Sequence, residues 1–183
     1  MIFAGSETTA ISLSAVFYNL LRYPRVYVKL MEELDEASRN GSIADRANNK
    51  VSWAEAQKLA YLDAVIQESF RECPQRCDVV SIICLIVPTT GLHPAAGLTL
   101  ERVVPPQGMD ILGNFIRGGT IVGINPWVVH RRPEVFGDDV DVFRPERWLE
   151  ASPTKLSQMK ATMFQFGAGA RTCIGKNISM LEM

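Results

Sequence analysis

Residues 166–175 read FGAGARTCIG, with Phe166, Gly169, Arg171, Cys173 and Gly175 spaced F-x-x-G-x-R-x-C-x-G. Glycines so placed let a backbone turn tightly with positive φ and let a flat ligand approach the main chain. An arginine two residues before the cysteine can pair with a ligand carboxylate. The spacing alone leaves Cys173 open between a metal ligand, a redox thiol, half of a disulfide and a small buried side chain. It does exclude a dinucleotide fingerprint, because Gly167 and Gly169 are followed by Thr172 where a third glycine belongs.

The rest of the chain bounds these choices. Its 183 residues suffice for one domain or for part of a larger one. Nineteen Lys+Arg against 20 Asp+Glu give a net charge of -1, with no electrostatic footprint for nucleic acid or an anionic membrane. The cysteines, Cys73, Cys77, Cys84 and Cys173, make no Cys-x-x-Cys pair and have no histidine pair beside them, so a zinc site has little support. The opening MIFAGSETTA lacks a basic n-region, and no stretch reaches the roughly 18 apolar residues of a membrane span. No targeting or transmembrane segment is expected within these residues.

Periodicity predicts a helix from Met1 to about Leu21, with Leu13, Val16, Phe17, Leu20 and Leu21 at helical spacing, ended by Pro24. A second helix is expected over about 25–37, then a polar loop over 38–50. Ser52 and Glu55 form a capping-box pattern ahead of a helix over 53–71 with a break near Ala60. Beyond residue 90, LTLERVV (98–104), MDILG (109–113) and GTIVGIN (119–125) read as short strands. A proline-rich irregular stretch, RRPEVFGDDVDVFRPERWLE, leads towards the glycine loop, and ISMLEM opens a last helix. There are no internal repeats.

Four motifs in order give a resemblance. FGAGARTCIG resembles the haem-binding loop of the cytochrome P-450 family, and AGSETT (4–9) its oxygen-activating helix stretch. ESFR (68–71) is similar to the family's Glu-x-x-Arg motif, and FRPERW (143–148) to its Pro-Glu-Arg motif. The resemblance implies a mainly α fold with small β-sheets. It implies haem b as cofactor, with Cys173 as axial iron ligand, Phe166 shielding the sulfur and Gly169 and Gly175 in the haem cradle. Arg171 would meet one propionate and Arg102 the other. Glu7 and Thr8 match the family's acid–alcohol pair for proton delivery. Glu68, Arg71 and Arg147 would form a structural network behind the cysteine loop. The LERVVPPQG stretch (100–108) is most similar to the fungal branch that includes pisatin demethylase.

Two features depart from the family pattern. The chain begins as though inside the distal helix and ends just past the cysteine loop, so the C-terminal portion of the fold is expected, incomplete and inactive when isolated. After ESFR, members usually continue Arg-x-His-Pro; here residues 72–91 intervene before LHPAAGLTLERVV. Arg71-Glu72-Cys73 can be encoded CGT-GAG-TGC, containing a GTGAGT donor, and Thr90-Gly91 as ACA-GGN, containing an AG acceptor. The segment therefore reads as a retained intron; the rival is a true insertion with VVSIICLIV as an added strand.

The implied activity is insertion of one oxygen atom of dioxygen into a small hydrophobic organic substrate, with electrons from an NADPH-cytochrome reductase. The endoplasmic reticulum membrane is the expected location, through an anchor outside these residues. A haem-thiolate isomerase or dehydratase is the alternative, against which the intact Glu7 and Thr8 argue. A third reading is a non-functional product of a broken gene model.

Overall fold

A proline sets the first corner. In the computed structural model, which describes residues 2–43, 51–72 and 100–183, α1 (Ile2–Arg22) gives way at Tyr23 to α2 (Pro24–Arg39). Tyr23 still donates its N–H to the Asn19 carbonyl at 2.9 Å, but Pro24 has no N–H with which to continue the ladder and instead occupies the first turn of α2. Val26, Leu30 and Ala37 supply the buried face of α2. Beyond its end, Gly41 adopts φ 71°, and the Ser42 N–H returns to the Ala37 carbonyl at 2.9 Å.

The capping box at Ser52 forms. The Ser52 N–H donates to Glu55 Oε2 at 2.7 Å and the Glu55 N–H to Ser52 Oγ at 3.3 Å, opening α3 (Trp53–Ala56). After a short break comes α4 (Ala60–Glu72), whose first turn is capped from α2. The two carboxylate oxygens of Glu33 accept from the Tyr61 and Leu62 N–H groups at 2.7 and 2.9 Å. This carboxylate fixes α4 against α2 at the helix end remote from Glu68 and Arg71.

Packing makes α4 the shared wall of two apolar clusters. On one side Tyr61 and Val65 meet Val16 and Leu20 of α1, Val26 and Leu30 of α2, and Phe143. On the other, Ala64 joins Phe136, Val140, Trp148 and Met159. Helical spacing along α1 does not by itself say which apolar residues turn inward. Val16 and Leu20 are buried, whereas Phe17 and Leu21 are 64% and 81% exposed.

Two small antiparallel sheets follow. β1 (Leu100–Val103) pairs with β4 (Ile121–Ile124), placing Arg102 opposite Val122. Between them, β2 (Met109–Ile111) pairs with β3 (Asn114–Ile116) around Leu112-Gly113, both at positive φ (54° and 80°), as a two-residue hairpin turn requires. The sequence reading missed β3, whose Asn114 and flanking glycines mimic loop composition.

The stretch expected to be irregular holds short helices: α5 (Pro126–Val129), α6 (Pro133–Phe136) and α7 (Glu146–Glu150). Each is too short for periodicity to register. An unanticipated α8 (Pro153–Thr162) follows, capped where Ser152 Oγ accepts from the Lys155 N–H. The last helix, α9 (Lys176–Glu182), begins two residues before Ile178. The fold class is therefore mainly α with small β-sheets. Most of segment 72–91 lies outside the described residues, with only Glu72 inside.

A polar joint closes this assembly at α7. Glu146 Oε1 accepts from Arg25, from Lys29 Nζ at 2.7 Å and from the Tyr61 hydroxyl at 3.1 Å. Burial alone would raise its carboxyl, but hydrogen bonds from Lys29 and Arg25 outweigh it and hold the group at about 2, below the ordinary 4.5. A depressed folded value means stability that is present above about pH 4.5 and lost as pH falls towards about 2. Glu146→Gln is expected to flatten the decline in urea midpoint between about pH 5 and pH 3 relative to the parent. Parallel pH profiles would contradict the assignment.

Candidate functional site

The loop after α8 is shaped by backbone hydrogen bonds. The Gly167 N–H donates to the Phe164 carbonyl at 2.9 Å, and the Cys173 N–H reaches the Phe166 carbonyl at 2.8 Å, tying the two ends of the turn together. Gly167 and Gly169 adopt φ of 70° and 66°, conformations that a side chain would strain. A single turn of 3-10 helix, Gly169–Arg171, follows, with the Thr172 N–H and hydroxyl both donating to the Gly169 carbonyl. The next residues present Cys173 as an exposed free thiol directly before α9.

Gly175 opens α9, and a Cβ placed on it would lie 3.8 Å from Cys173 Sγ. Phe166 packs edge-on against Phe70 of α4, with ring centroids 5.4 Å apart, and so anchors the loop to that helix. Further on, Ser179 Oγ of α9 hydrogen-bonds Thr9 Oγ1 of α1 at 3.1 Å. The helix leaving the cysteine is thereby fixed to the AGSETT stretch.

Behind the loop stands a buried charge network centred on Glu68. Its carboxylate accepts from Arg71 Nε and Nη2 at 2.9 and 2.8 Å, from Arg147 Nε at 3.0 Å and from the Arg144 N–H at 3.1 Å. The Trp148 indole N–H adds a further donor at 2.9 Å. Glu68 and Arg71 are 0% exposed and Arg147 is 3% exposed. Each guanidinium also holds the meander that precedes α7. Arg71 donates to the Val140 carbonyl at 2.7 Å, and Arg147 to the carbonyls of Phe136, Asp139 and Val142.

Asp139 balances the second arginine, accepting from Arg147 Nη1 at 2.8 Å. Burial pushes its carboxyl upward, yet the hydrogen bonds from Arg147 and Arg144 prevail and hold it below the ordinary carboxylate range. Two carboxylates thus face two buried guanidiniums, which removes the uncompensated charge that would make such burial untenable.

Other residues singled out in the sequence lie on separate elements. Glu7 and Thr8 occupy successive positions of α1, with Thr8 exposed. Arg102 is exposed on β1, donating to the neighbouring Glu101 carbonyl at 2.7 Å, and Arg171 is exposed within the 3-10 turn. Sequence reasoning missed Trp148, Asp139 and His130. Trp148 stood inside the quoted FRPERW, where its indole donor was the available signal. His130 was legible only as a lone histidine closing an apolar WVVH run.

The donor set also bears on the expected haem. Among the described residues no group of three His, Cys, Asp or Glu, Cys173 included, could hold a bare metal ion. A lone soft sulfur ligand suits an iron that brings its own equatorial nitrogens. The loop's open surface agrees, since a Cβ at Gly169 would meet nothing within 4 Å. The residues present fit the group.

Comparison with known proteins bears on the same residues. A model described as Cytochrome P450 matches residues 1–75 and 91–183. Similar curated proteins include a cytochrome P450 monooxygenase of Aspergillus terreus, 44% identical over 182 residues, covering 100% of this chain and 32% of that protein. Cytochrome P450 monooxygenase cicH of Emericella nidulans is 43% identical over 98% of this chain and 31% of its own length. Pisatin demethylase of Fusarium vanettenii is 41% identical over 98% of this chain and 29% of its own length. The chain spans about a third of the length of the curated relatives it matches.

The network gives two graded expectations. Trp148→Phe keeps an aromatic ring and removes one donor, so it is expected to cost about 1–2 kcal/mol. Arg147→Leu removes one of the two guanidiniums on Glu68, one of the two on Asp139 and the donor to the Phe136 carbonyl, and is expected to cost about 3–5 kcal/mol. Urea unfolding of the purified protein measures both; equal losses, or a loss at Arg147 below about 1 kcal/mol, would contradict the arrangement.

Proposed function

The chain belongs to the cytochrome P450 family, and from that premise we propose that it is the C-terminal portion of a haem-thiolate monooxygenase acting on a small hydrophobic organic molecule. The observation that carries this reading is the exposed Cys173 thiol, presented by a backbone-tied glycine turn and backed by the buried Glu68 network. Haem b, when bound, supplies the oxygen chemistry. The roles of the residues follow from their chemistry. The Cys173 sulfur holds the iron, Phe166 limits water beside it, and Gly169 and Gly175 keep side chains off the flat ligand. Arg171 and Arg102 carry the cationic groups for its two carboxylates.

Glu7 and Thr8 serve proton delivery: the Thr8 hydroxyl gives up a proton from Oγ1, and the Glu7 carboxyl, protonated from solvent, restores it. Electrons come from an NADPH-cytochrome reductase, and the protein resides at the endoplasmic reticulum membrane; among the described residues no helix is long and apolar enough to cross a membrane. The relatives named cytochrome P450 monooxygenase support the reaction class over an isomerase or dehydratase.

Segment 72–91 is a separate proposal: a retained intron that does not belong to the family core. The family match omits residues 76–90, most of this segment, which supports this. Glu72 supports it too. Its Oε2 is buried with no hydrogen-bond partner among the described residues, and burial pushes its carboxyl up. Joining Arg71 to Leu92 would put an apolar side chain there. Transcript reads spliced from Arg71 to Leu92 are expected; transcripts running only continuously through the segment would refute it.

In the full-length protein, Cys173→Ala is expected to abolish the thiolate-type carbon monoxide difference spectrum. Thr8→Ala is expected to retain that spectrum while lowering product formed per NADPH by about 10-fold or more. Isolated residues 1–183 are expected to give no stable spectrum of this type. An unchanged spectrum in Cys173→Ala, or turnover without NADPH and reductase, would overturn the reading.

A further inference from the structure

The cysteine loop must sit at a fixed height against the fold, yet residues 168–174 are exposed and reach little of the interior. A buried side chain reaches the start of the loop from beneath. His130, 2% exposed, closes α5, and its Nε2 accepts the Phe164 N–H at 2.8 Å. Phe164 is the residue whose carbonyl receives the Gly167 N–H, at the start of the turn that ends in the Cys173-to-Phe166 bond.

The other attachments of His130 lead to α4 and to α5 itself. Its carbonyl accepts from Arg71 Nη1 at 3.3 Å, and its own N–H donates to the Pro126 carbonyl at 2.8 Å. An Nε2 that accepts requires the neutral imidazole with its hydrogen on Nδ1. Burial, followed by the positive charges of Arg71 and Arg131, lowers the pKa of this ring to about 4, so it stays an acceptor at neutral pH.

We propose that His130 is a positioning residue: by holding the Phe164 N–H it sets the register of the Cys173 loop against the Glu68–Arg71 helix. Phe70 to Phe166 is an apolar contact that tolerates sliding, whereas the imidazole acceptor is directional. The hydrogen bond thus selects one loop height among those that the ring contact would allow. The inference rests on the reading of Cys173 as iron ligand for its spectroscopic consequence alone.

The test uses the full-length, haem-loaded protein with His130→Ala, His130→Gln and Cys173→Ala side by side. Amide hydrogen exchange at Phe164 and Cys173 and the lifetime of the thiolate-type carbon monoxide spectrum are measured. In His130→Ala both amides are expected to exchange roughly tenfold faster, and the thiolate-type signal to decay to the thiol type roughly tenfold sooner. His130→Gln, whose amide oxygen can reach the same donor, is expected to recover most of both.

Exchange and decay within about twofold of the parent in His130→Ala would overturn the proposal. So would a glutamine variant as impaired as the alanine one. Should His130→Ala yield no folded protein, His130→Gln decides alone: parent-like exchange at Phe164 supports the proposal and accelerated exchange refutes it. If Cys173→Ala keeps the thiolate-type spectrum, the ligand reading fails, while the exchange data still decide the role of His130.

Discussion

The carboxylate of Glu68 is buried between two guanidiniums, and three parts of the fold converge on it. Ion pairs of this kind give little net stability over an apolar core, because removing both charges from water costs several kcal/mol each. Their effect here is selective. The donors aimed at Glu68 come from α4, from the meander and from α7, so few relative placements satisfy all of them at once. The guanidiniums then use their remaining N–H groups to order carbonyls of a segment that is short of regular structure. An apolar core could bury the same area without fixing that register.

The cysteine loop inherits its position from this scaffold. Little in the loop is held by its own side chains; Phe166 and the backbone make the attachments. Residues 168–174 are therefore left exposed, where a loop packed by its own side chains would be covered. Cys173 is consequently exposed but held in register. Thr9 and Ser179 complete the frame, binding the helix that leaves the cysteine to the helix that carries Glu7 and Thr8.

Much of this was legible in the sequence, and the exceptions share a cause. Pro24, the Ser52–Glu55 box and the break near Ala60 act over four or five residues, so local chemistry settles them. Motif spacing singled out Cys173, Glu68, Arg71 and Arg147, and the last three are joined by hydrogen bonds. Trp148 and His130 were missed because their partners lie 80 and 34 positions away, beyond any local pattern. β3 and the one-turn helices were missed for a different reason: three to five residues give no period to read. Along α1 the period was correct, but Phe17 and Leu21 face outward, and tertiary packing alone distinguishes them from Val16 and Leu20.

Whether Glu68 and the arginines act as one unit can be read from a double-mutant cycle. Glu68→Gln, Arg147→Gln and the double variant would be unfolded in urea beside the parent protein. The double variant is expected to be about 2–3 kcal/mol more stable than the sum of the single losses implies, because each single variant already breaks the shared network. Losses that add to within about 0.5 kcal/mol would show two independent contacts and contradict it.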